Sequence, residues 1–406
     1  MKRSFIKTFA SFFALLGIIF IPFPFNITRV QLHITDAVFG KAIGFIAQHI
    51  FSKPLTNTQV YSDSISMYIL LLLLFVLAVV ISLALAFSKK WAEYHQKIYS
   101  ILYRCFLYYL ALQLLKYGAD KLFKNQFYLP EPNTLFTPIG KADKDLLYWS
   151  TMGTSYSYNV FLGIIEILAA VLMLVKRTRL IGLLISIGVL LNVVAINFGF
   201  DISVKIFSSF LLLLNIYLLA PYGNRLYRLL VLKNNNDLPV VETHPLFPKT
   251  FLAIFLQWLA VCLIALEVFY PFLRTGHLNG DAAEKPYLHG AYEVTAVIEG
   301  TDTLPAVFSP VKRFFIHRDS YMIFQDQKDD MKDYKLALDK ARSVFLLTDY
   351  QLHQTTVPFS YNPSDSLLIL DHTIDGKEGK LVGKAINWRQ LPAVNNSFHW
   401  TMDGGQ

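Results

Sequence analysis

Ionisable side chains lie inside stretches that are apolar enough to cross a lipid bilayer, and this restricts the fold more than any other feature. Arg104 lies within YSILYRCFLYYLALQLLKYG and Glu166 within YNVFLGIIEILAAVLMLV, while Asp201 and Lys205 begin DISVKIFSSFLLLLNIYLLA. A charged group in hydrocarbon costs at least about 2.5–3.5 kcal/mol, so it normally faces a partner or a polar cavity. The sequence therefore predicts a helical bundle with a polar interior.

Long apolar stretches recur along the 406-residue chain, of which only 16% is charged, against about 25% in soluble domains. A helix that spans the bilayer needs roughly 20 apolar residues. We predict about seven such helices, at 5–25, 65–87, 98–118, 155–175, 179–198, 202–220 and 250–271. The first could instead be a signal peptide, but Pro22 and Pro24 follow it without an evident cleavage site, so we expect it to be retained.

Lysine and arginine are concentrated in loops that all fall on one side of the predicted bundle. They precede the first span and follow the second, fourth and sixth spans. Lysines at 121–144 lie on the other side, where nearby acidic residues partly balance them. Since short basic loops remain in the cytoplasm, we expect a multi-pass protein of the cytoplasmic (inner) membrane. Its N-terminus would be cytoplasmic and its C-terminal region extracytoplasmic (periplasmic).

The chain changes character after the last span. From Tyr287 onward, short runs alternate apolar and polar residues, and turn signals such as Asn362-Pro363 separate them. The predicted strands are YEVTAVIEG, VKRFFIH, SYMIFQ, RSVFLLT, SLLILDHT, KLVGKAI and SFHWTMD. That pattern predicts an antiparallel all-β sandwich or barrel. The predicted organisation is therefore N-terminal membrane helices with an outer interfacial helix (1–97), a four-helix membrane bundle (98–233), a linker with the last span (234–286), and an extracytoplasmic β domain (287–406).

Arg104 and Glu166 are predicted to lie at depths that differ by only about 5 Å, given the 1.5 Å rise per residue. The functional interpretation is an ion pair that faces a quinone or takes part in proton transfer. Two structural alternatives remain open, an interhelical clamp and an arginine whose head extends to the inner surface.

Asp201 and Lys205 are four positions apart, so they share one face of a helix and can pair. Asp201 could also cap that helix. Together with Lys121 and Asn192 the pair would form an outer polar pocket. Asparagines within apolar spans, such as Asn192 and Asn215, more often serve as hydrogen-bonding contacts between helices.

Several function classes lack the residues they need. Cys105 and Cys262 lie in separate predicted spans, with no CxxC motif and no Cys/His cluster, so we predict neither thiol exchange nor a metal site. No basic run is interleaved with stacking aromatics, so nucleic acid is not an expected partner. No recognisable motif binds a cofactor.

Short motifs in a fixed order resemble the DoxX family of small four-helix membrane proteins, in a long form with extra N-terminal helices and a C-terminal β domain, as in Bacteroidetes-type bacteria. They cover about a third of the chain, and a closing Phe398-His399-Trp400 is also similar. The matching residues are Arg104, Tyr117-Gly118, Lys121, Trp149, Met152-Gly153, Gly163, Glu166, Arg177-Thr178-Arg179, Gly182, Asn192-Val193, Asn197-Phe198 and Asp201 to Lys205.

The resemblance implies a redox association, since DoxX-like proteins include a quinone-reducing thiosulfate dehydrogenase subunit and a scaffold for membrane oxidoreductases. The leading hypothesis is a quinone-linked redox subunit or the membrane platform of an oxidoreductase complex. A protein partner would carry the redox cofactor. The alternative is a non-catalytic envelope protein whose β domain binds a partner or an apolar ligand. Whether the chain is itself an enzyme stays open.

Overall fold

The computed structural model describes residues 2–22, 30–53, 59–232, 251–300, 302–374 and 377–395. They form two compact units. One comprises Met1–Gln126 and Ser157–Leu278, and the other comprises Phe127–Tyr156 and Asn279–Gln406. The first unit is helical and the second is built on a β-barrel. The predicted combination of a membrane helical bundle with a C-terminal antiparallel β domain is therefore confirmed.

The described part of the chain contains eleven α-helices. They are α1 (Lys2–Phe20), α2 (Val30–His49), α3 (Ile65–Ala86), α4 (Lys89–Leu122), α5 (Pro132–Leu135), α6 (Lys144–Thr154), α7 (Tyr156–Leu174), α8 (Arg179–Gly199), α9 (Lys205–Leu219), α10 (Gly223–Leu230) and α11 (Phe251–Thr275).

Six of the described helical segments are long and apolar enough to cross a membrane. They are Ile65–Ala86, Lys89–Leu122, Tyr156–Leu174, Arg179–Gly199, Lys205–Leu230 and Ile254–Ala282. The first predicted span corresponds to a shorter apolar helix, Phe5–Phe20. Helix α4 is longer than predicted because the Ser88 side chain accepts a hydrogen bond from the Trp91 amide and starts the helix nine residues earlier than 98.

Glycines allow the membrane helices to approach each other closely. A methyl group on Gly163 of α7 would lie 2.6 Å from the carbonyl oxygen of Gly118 in α4. A methyl group on Gly182 of α8 would lie 2.7 Å from the carbonyl oxygen of Ala169 in α7. Small residues at such crossings let helix backbones touch, which is how helices pack in lipid.

Polar side chains add contacts between helices. Asn215 of α9 donates hydrogen bonds to Ser186 Oγ (2.8 Å) and to the Leu183 carbonyl (3.2 Å), both in α8. The expected interhelical role of Asn215 is thus confirmed. Thr35 of α2 donates to the carbonyl of Phe20 at the end of α1. Helix α2, which lies in the region of the predicted outer interfacial helix, therefore packs against α1.

The described strands of the second unit are antiparallel. They are β1 (Gly290–Glu299), β2 (Asp302–Pro305), β3 (Val311–His317), β4 (Tyr321–Asp326), β5 (Met331–Asp339), β6 (Val344–Thr348), β7 (Gln354–Asn362), β8 (Leu367–Ile374) and β9 (Lys377–Ile386). Strands β3 to β9 follow one another in order, and β1 pairs with both β3 and β9, which closes an eight-stranded barrel. Strand β2 is attached to β1 alone among these strands.

Aromatic side chains fill part of the barrel interior. The rings of Tyr292 and Phe314 stack at 5.1 Å, and those of Phe345 and Phe359 stack at 4.1 Å. A methyl group on Gly383 would lie 2.4 Å from the Phe314 ring, so glycine in β9 makes room for this aromatic layer. Barrels of eight strands have interiors just wide enough for such side chains.

The segment between α4 and α7 packs on the outside of the barrel. The Phe136 ring lies 5.9 Å from that of Phe315, and Gln325 Nε2 donates to the Phe136 carbonyl (3.0 Å). Residues Phe127–Tyr156 thus group with the barrel, although sequence assigned them to the four-helix bundle. The linker at 234–237 and the closing Phe398-His399-Trp400 motif lie outside the described residues.

Candidate functional site

A buried ion pair joins α4 to α7 inside the membrane unit. Lys121 Nζ donates a hydrogen bond to Glu166 Oε2 at 3.0 Å, and the two side chains are only 9% and 6% exposed. The glycines of the helix crossing explain this contact, because Lys121 follows Gly118 by three positions and Glu166 follows Gly163 by three positions. Residues three apart lie on the same helix face, so the crossing brings both charges together.

The predicted pairing of Arg104 with Glu166 is wrong. The crossing at Gly118 and Gly163 sets the register of the two helices, and Arg104 is about 25 Å from Lys121 along the axis of α4 at 1.5 Å per residue. The carboxylate of Glu166 is instead paired with Lys121. Arg104 Nε and Nη2 are buried and have no hydrogen-bond partner among the described residues.

A second buried pair joins α4 to α11. Lys116 Nζ lies 3.6 Å from Glu267 Oε1, with side chains 11% and 7% exposed. Sequence reasoning did not single out Glu267, although the signal was present, since an acid inside the apolar run LIALEVFY requires the same explanation as Glu166. Both buried pairs use lysines from the last two turns of α4.

Asp201 and Lys205 do pair, and a third residue organises them. Lys205 Nζ lies 2.7 Å from Asp201 Oδ1 and 3.8 Å from Asp63 Oδ2. The amides of Lys205 and Ile206 donate to the Asp63 carboxylate at 2.9 and 3.0 Å. The cap of α9 is therefore Asp63. The prediction that Asp201 caps this helix is wrong, and the Asp201 side chain is 82% exposed.

The predicted outer pocket is divided in the structure. Lys121 pairs with Glu166, Lys205 pairs with Asp201 and Asp63, and Asn192 is exposed on α8. Asn192 therefore faces away from the interior of the bundle, because its position in α8 is on the opposite face from the buried Leu190 and Asn197. The compact polar element is Lys121 with Glu166.

The barrel unit contains a separate buried cluster around Glu131. His289 Nε2 lies 2.6 Å from Glu131 Oε2, which also accepts from the Arg318 amide at 3.2 Å. The Arg318 guanidinium lies over the Tyr128 ring at 4.0 Å. Burial opposes ionisation of Glu131, but the hydrogen bond and charge of His289 prevail and lower its pKa. Burial lowers the pKa of the neighbouring His317.

These contacts attach the segment before α5 to strands β1 and β3. Sequence patterns did not single out His317, His289 or Glu131 as site residues. The contact joins residues 158 positions apart, so no local pattern indicates it. Within the described ranges, no three His, Cys, Asp or Glu side chains are grouped so that they could hold a metal ion.

Comparison with known proteins gives one informative match. No family model and no solved structure matches the chain. The uncharacterized protein YwoB of Bacillus subtilis (strain 168) is 36% identical over 114 residues, which are 28% of this chain and 72% of that protein. The chain belongs to the family of YwoB.

The YwoB family relationship leaves the chemistry to be derived from the site. In this YwoB-family chain, Lys121 supplies three ammonium donors and Glu166 supplies a carboxylate that can take up a proton. Both lie in a membrane unit where an unpaired charge is costly. The pair can therefore hold two helices together, and it can offer a donor and a proton carrier to a polar group of a lipid-soluble molecule.

Proposed function

We propose that this YwoB-family chain is a DoxX-like integral protein of the cytoplasmic membrane that serves as the membrane platform of a quinone-linked oxidoreductase complex. The observation that carries the proposal is the buried pair of Lys121 and Glu166 at the crossing of α4 and α7. Lys121 would donate a hydrogen bond to a carbonyl oxygen of the quinone, and Glu166 would carry a proton to or from it. A protein partner would supply the electrons through its own cofactor.

The proposed orientation has the N-terminus in the cytoplasm and the barrel unit outside. The basic loops favour it, and the chain connections are consistent with it. Residues Phe127–Tyr156 and Asn279–Gln406 belong to one compact unit, and we therefore place them together on one side of the membrane. The four candidate spans between them form an even number of crossings, which returns the chain to that side.

Glu166→Gln tests the proposed role of the carboxylate. Glutamine keeps the size and the hydrogen-bonding oxygen but cannot carry a proton at neutral pH. We expect quinone-linked electron transfer in native membranes to fall at least about tenfold, as for loss of a proton-transfer group. Asp201→Asn removes an exposed carboxylate and serves as the matched control. Full activity of a normally folded Glu166→Gln protein would remove the quinone role.

A second function is favoured by apolar side chains on the barrel unit. Val307, Phe308, Tyr350 and Leu352 are 69–83% exposed and lie in or beside loops between strands. They support the alternative of an envelope protein whose β domain binds a partner. Replacing Phe308 and Leu352 by serine would then abolish co-purification of that partner. If the chain is instead the membrane platform, the same variant should still co-purify with the redox partner, because its membrane unit is intact.

A further inference from the structure

Arg104 is half-buried, and it differs from Lys116 and Lys121, the lysines of the two buried ion pairs. Lys116 and Lys121 each pair with a glutamate. Arg104 instead has two buried nitrogens, Nε and Nη2, without a hydrogen-bond partner among the described residues. A buried donor without a partner costs free energy, and the cost is larger when the donor is charged. Arg104 therefore needs an acceptor that the described part of the protein does not provide.

The two unpartnered nitrogens indicate the shape of that acceptor. Nε and Nη2 lie on the same edge of the guanidinium plane, so their N–H bonds point in the same direction. This edge binds two oxygens of one carboxylate or phosphate in parallel. A single neutral oxygen atom would accept a hydrogen bond from only one of the two nitrogens.

A second cation lies at a similar depth, because Arg104 precedes the crossing glycine of α4, Gly118, by 14 positions and Arg179 follows the crossing glycine of α7, Gly163, by 16 positions. Arg179 is the first residue of α8, is buried, and donates from Nε to the Met173 carbonyl at 3.3 Å. Its charge acts on Arg104, and the other titratable groups with the strongest influence there are Tyr108 and Cys105. None of these three is a carboxylate. Two cations at a similar depth favour the binding of an anion.

The position of Arg104 and Arg179 in the fold identifies the source of that anion. Arg179 follows the exposed Lys176 in the short loop between α7 and α8, which is cytoplasmic in the orientation proposed above. Basic pockets between membrane helices on the cytoplasmic side bind the headgroups of anionic lipids. We propose that Arg104 and Arg179 bind the phosphate group of an anionic phospholipid in the inner leaflet. The site is independent of Lys121 and Glu166.

The test uses the purified full-length chain in a neutral detergent. Phosphatidylglycerol or phosphatidylcholine is added, and bound lipid is counted by native mass spectrometry. We expect phosphatidylglycerol to bind the wild type, and Arg104→Gln to bind it about tenfold or more weakly, because two charge-assisted hydrogen bonds are lost. Arg177→Gln removes an exposed charge from the same loop and should bind like the wild type.

Thermal stability provides a second measurement, in which the effect of Arg104→Gln depends on whether anionic lipid is present. Without anionic lipid, Arg104→Gln should unfold at the same temperature as the wild type or higher, since the unpartnered charge is gone. With saturating phosphatidylglycerol the wild type should gain stability and the variant should not. If Arg104→Gln fails to fold, Arg104→Lys keeps the charge without the two-pronged edge and should bind with intermediate strength.

Three results would overturn the inference. They are equal binding of phosphatidylglycerol by Arg104→Gln and the wild type, equal binding of phosphatidylglycerol and phosphatidylcholine by the wild type, and displacement of the lipid by an equal concentration of glycerol 3-phosphate. The last result would indicate a site for a soluble anion.

Discussion

Replacing Glu166 alone should destabilise the membrane unit far more than replacing Lys121 and Glu166 together with apolar residues. The two charged atoms are 3.0 Å apart, so their attraction is about 5–6 kcal/mol at an effective dielectric constant of 20. Desolvation of both groups offsets much of this. Glu166→Leu leaves the Lys121 ammonium buried without its partner, which should cost about 3–5 kcal/mol.

The double variant Lys121→Met/Glu166→Leu replaces both charges with apolar groups of similar size. It should be close to the wild type in stability or above it, because no buried charge is left unpaired. Unfolding free energies of the wild type, Lys121→Met, Glu166→Leu and the double variant, measured by denaturant titration in mixed micelles, give the coupling energy of the pair.

Asp201→Asn is the control for this cycle. It removes a carboxylate that is 82% exposed, and exposed pairs contribute about 0–1 kcal/mol. The reasoning is refuted if Glu166→Leu costs no more than Asp201→Asn, or if the losses of the two single variants simply add in the double variant.

Three further predictions concern the helix crossing and the barrel. Gly163→Ala should cost about 1–3 kcal/mol, because its methyl group would lie 2.6 Å from a carbonyl oxygen of α4, and Gly140→Ala, with no atom within 4 Å, should cost far less. Gly383→Ala should destabilise the barrel by a similar amount through contact with the ring of Phe314 at 2.4 Å, measured as faster amide exchange in β1 and β9. The barrel unit should lose stability on acidification. The pKa of Glu131 is lowered in the folded protein, so its carboxylate stabilises the folded form above the ordinary carboxyl pKa, and this stabilisation is lost as pH falls through the lowered pKa. The pKa of His317 is also lowered in the folded protein, so the unfolded form takes up a proton first and the folded form loses stability as pH falls below 6.5. Unfolding between pH 7 and 3 should therefore ease with acid, and Glu131→Gln should remove the part of this dependence below about pH 5. An acid dependence unchanged by that substitution would contradict the assignment.

Local patterns were sufficient to predict most of the elements that form the two units. The run VKRFFIH at 311–317 coincides with β3. The predicted spans match the six candidate spans within a few residues, except that α4 extends beyond both predicted ends and the candidate spans Lys205–Leu230 and Ile254–Ala282 run past the predicted ends at 220 and 271. Strands β5 and β7 were missed for identifiable reasons. β5 carries charged side chains along MKDYKLALD, and β7 contains Pro358, a residue that normally argues against a strand.

The candidate site was predicted in its residue types but not in its pairing. Charges in apolar spans indicated a polar interior, and Glu166 and Lys121 were both among the candidates. Lys121 and Glu166 meet because Gly118 and Gly163 set how α4 and α7 are aligned. Depths counted from the ends of the predicted spans do not reveal this alignment. The same is true of Glu131 and His289, which meet only when the segment before α5 packs on the barrel.

The central claim is that the chain is the membrane platform of a quinone-linked oxidoreductase complex, and its isolation from native membranes tests this most directly. The full-length protein is purified in a mild detergent, and the bound proteins and quinones are identified. The account predicts a partner with a redox cofactor together with bound quinone, and loss of the quinone in Glu166→Gln. Recovery of the folded full-length chain from native membranes with neither a redox protein nor a quinone bound would contradict it.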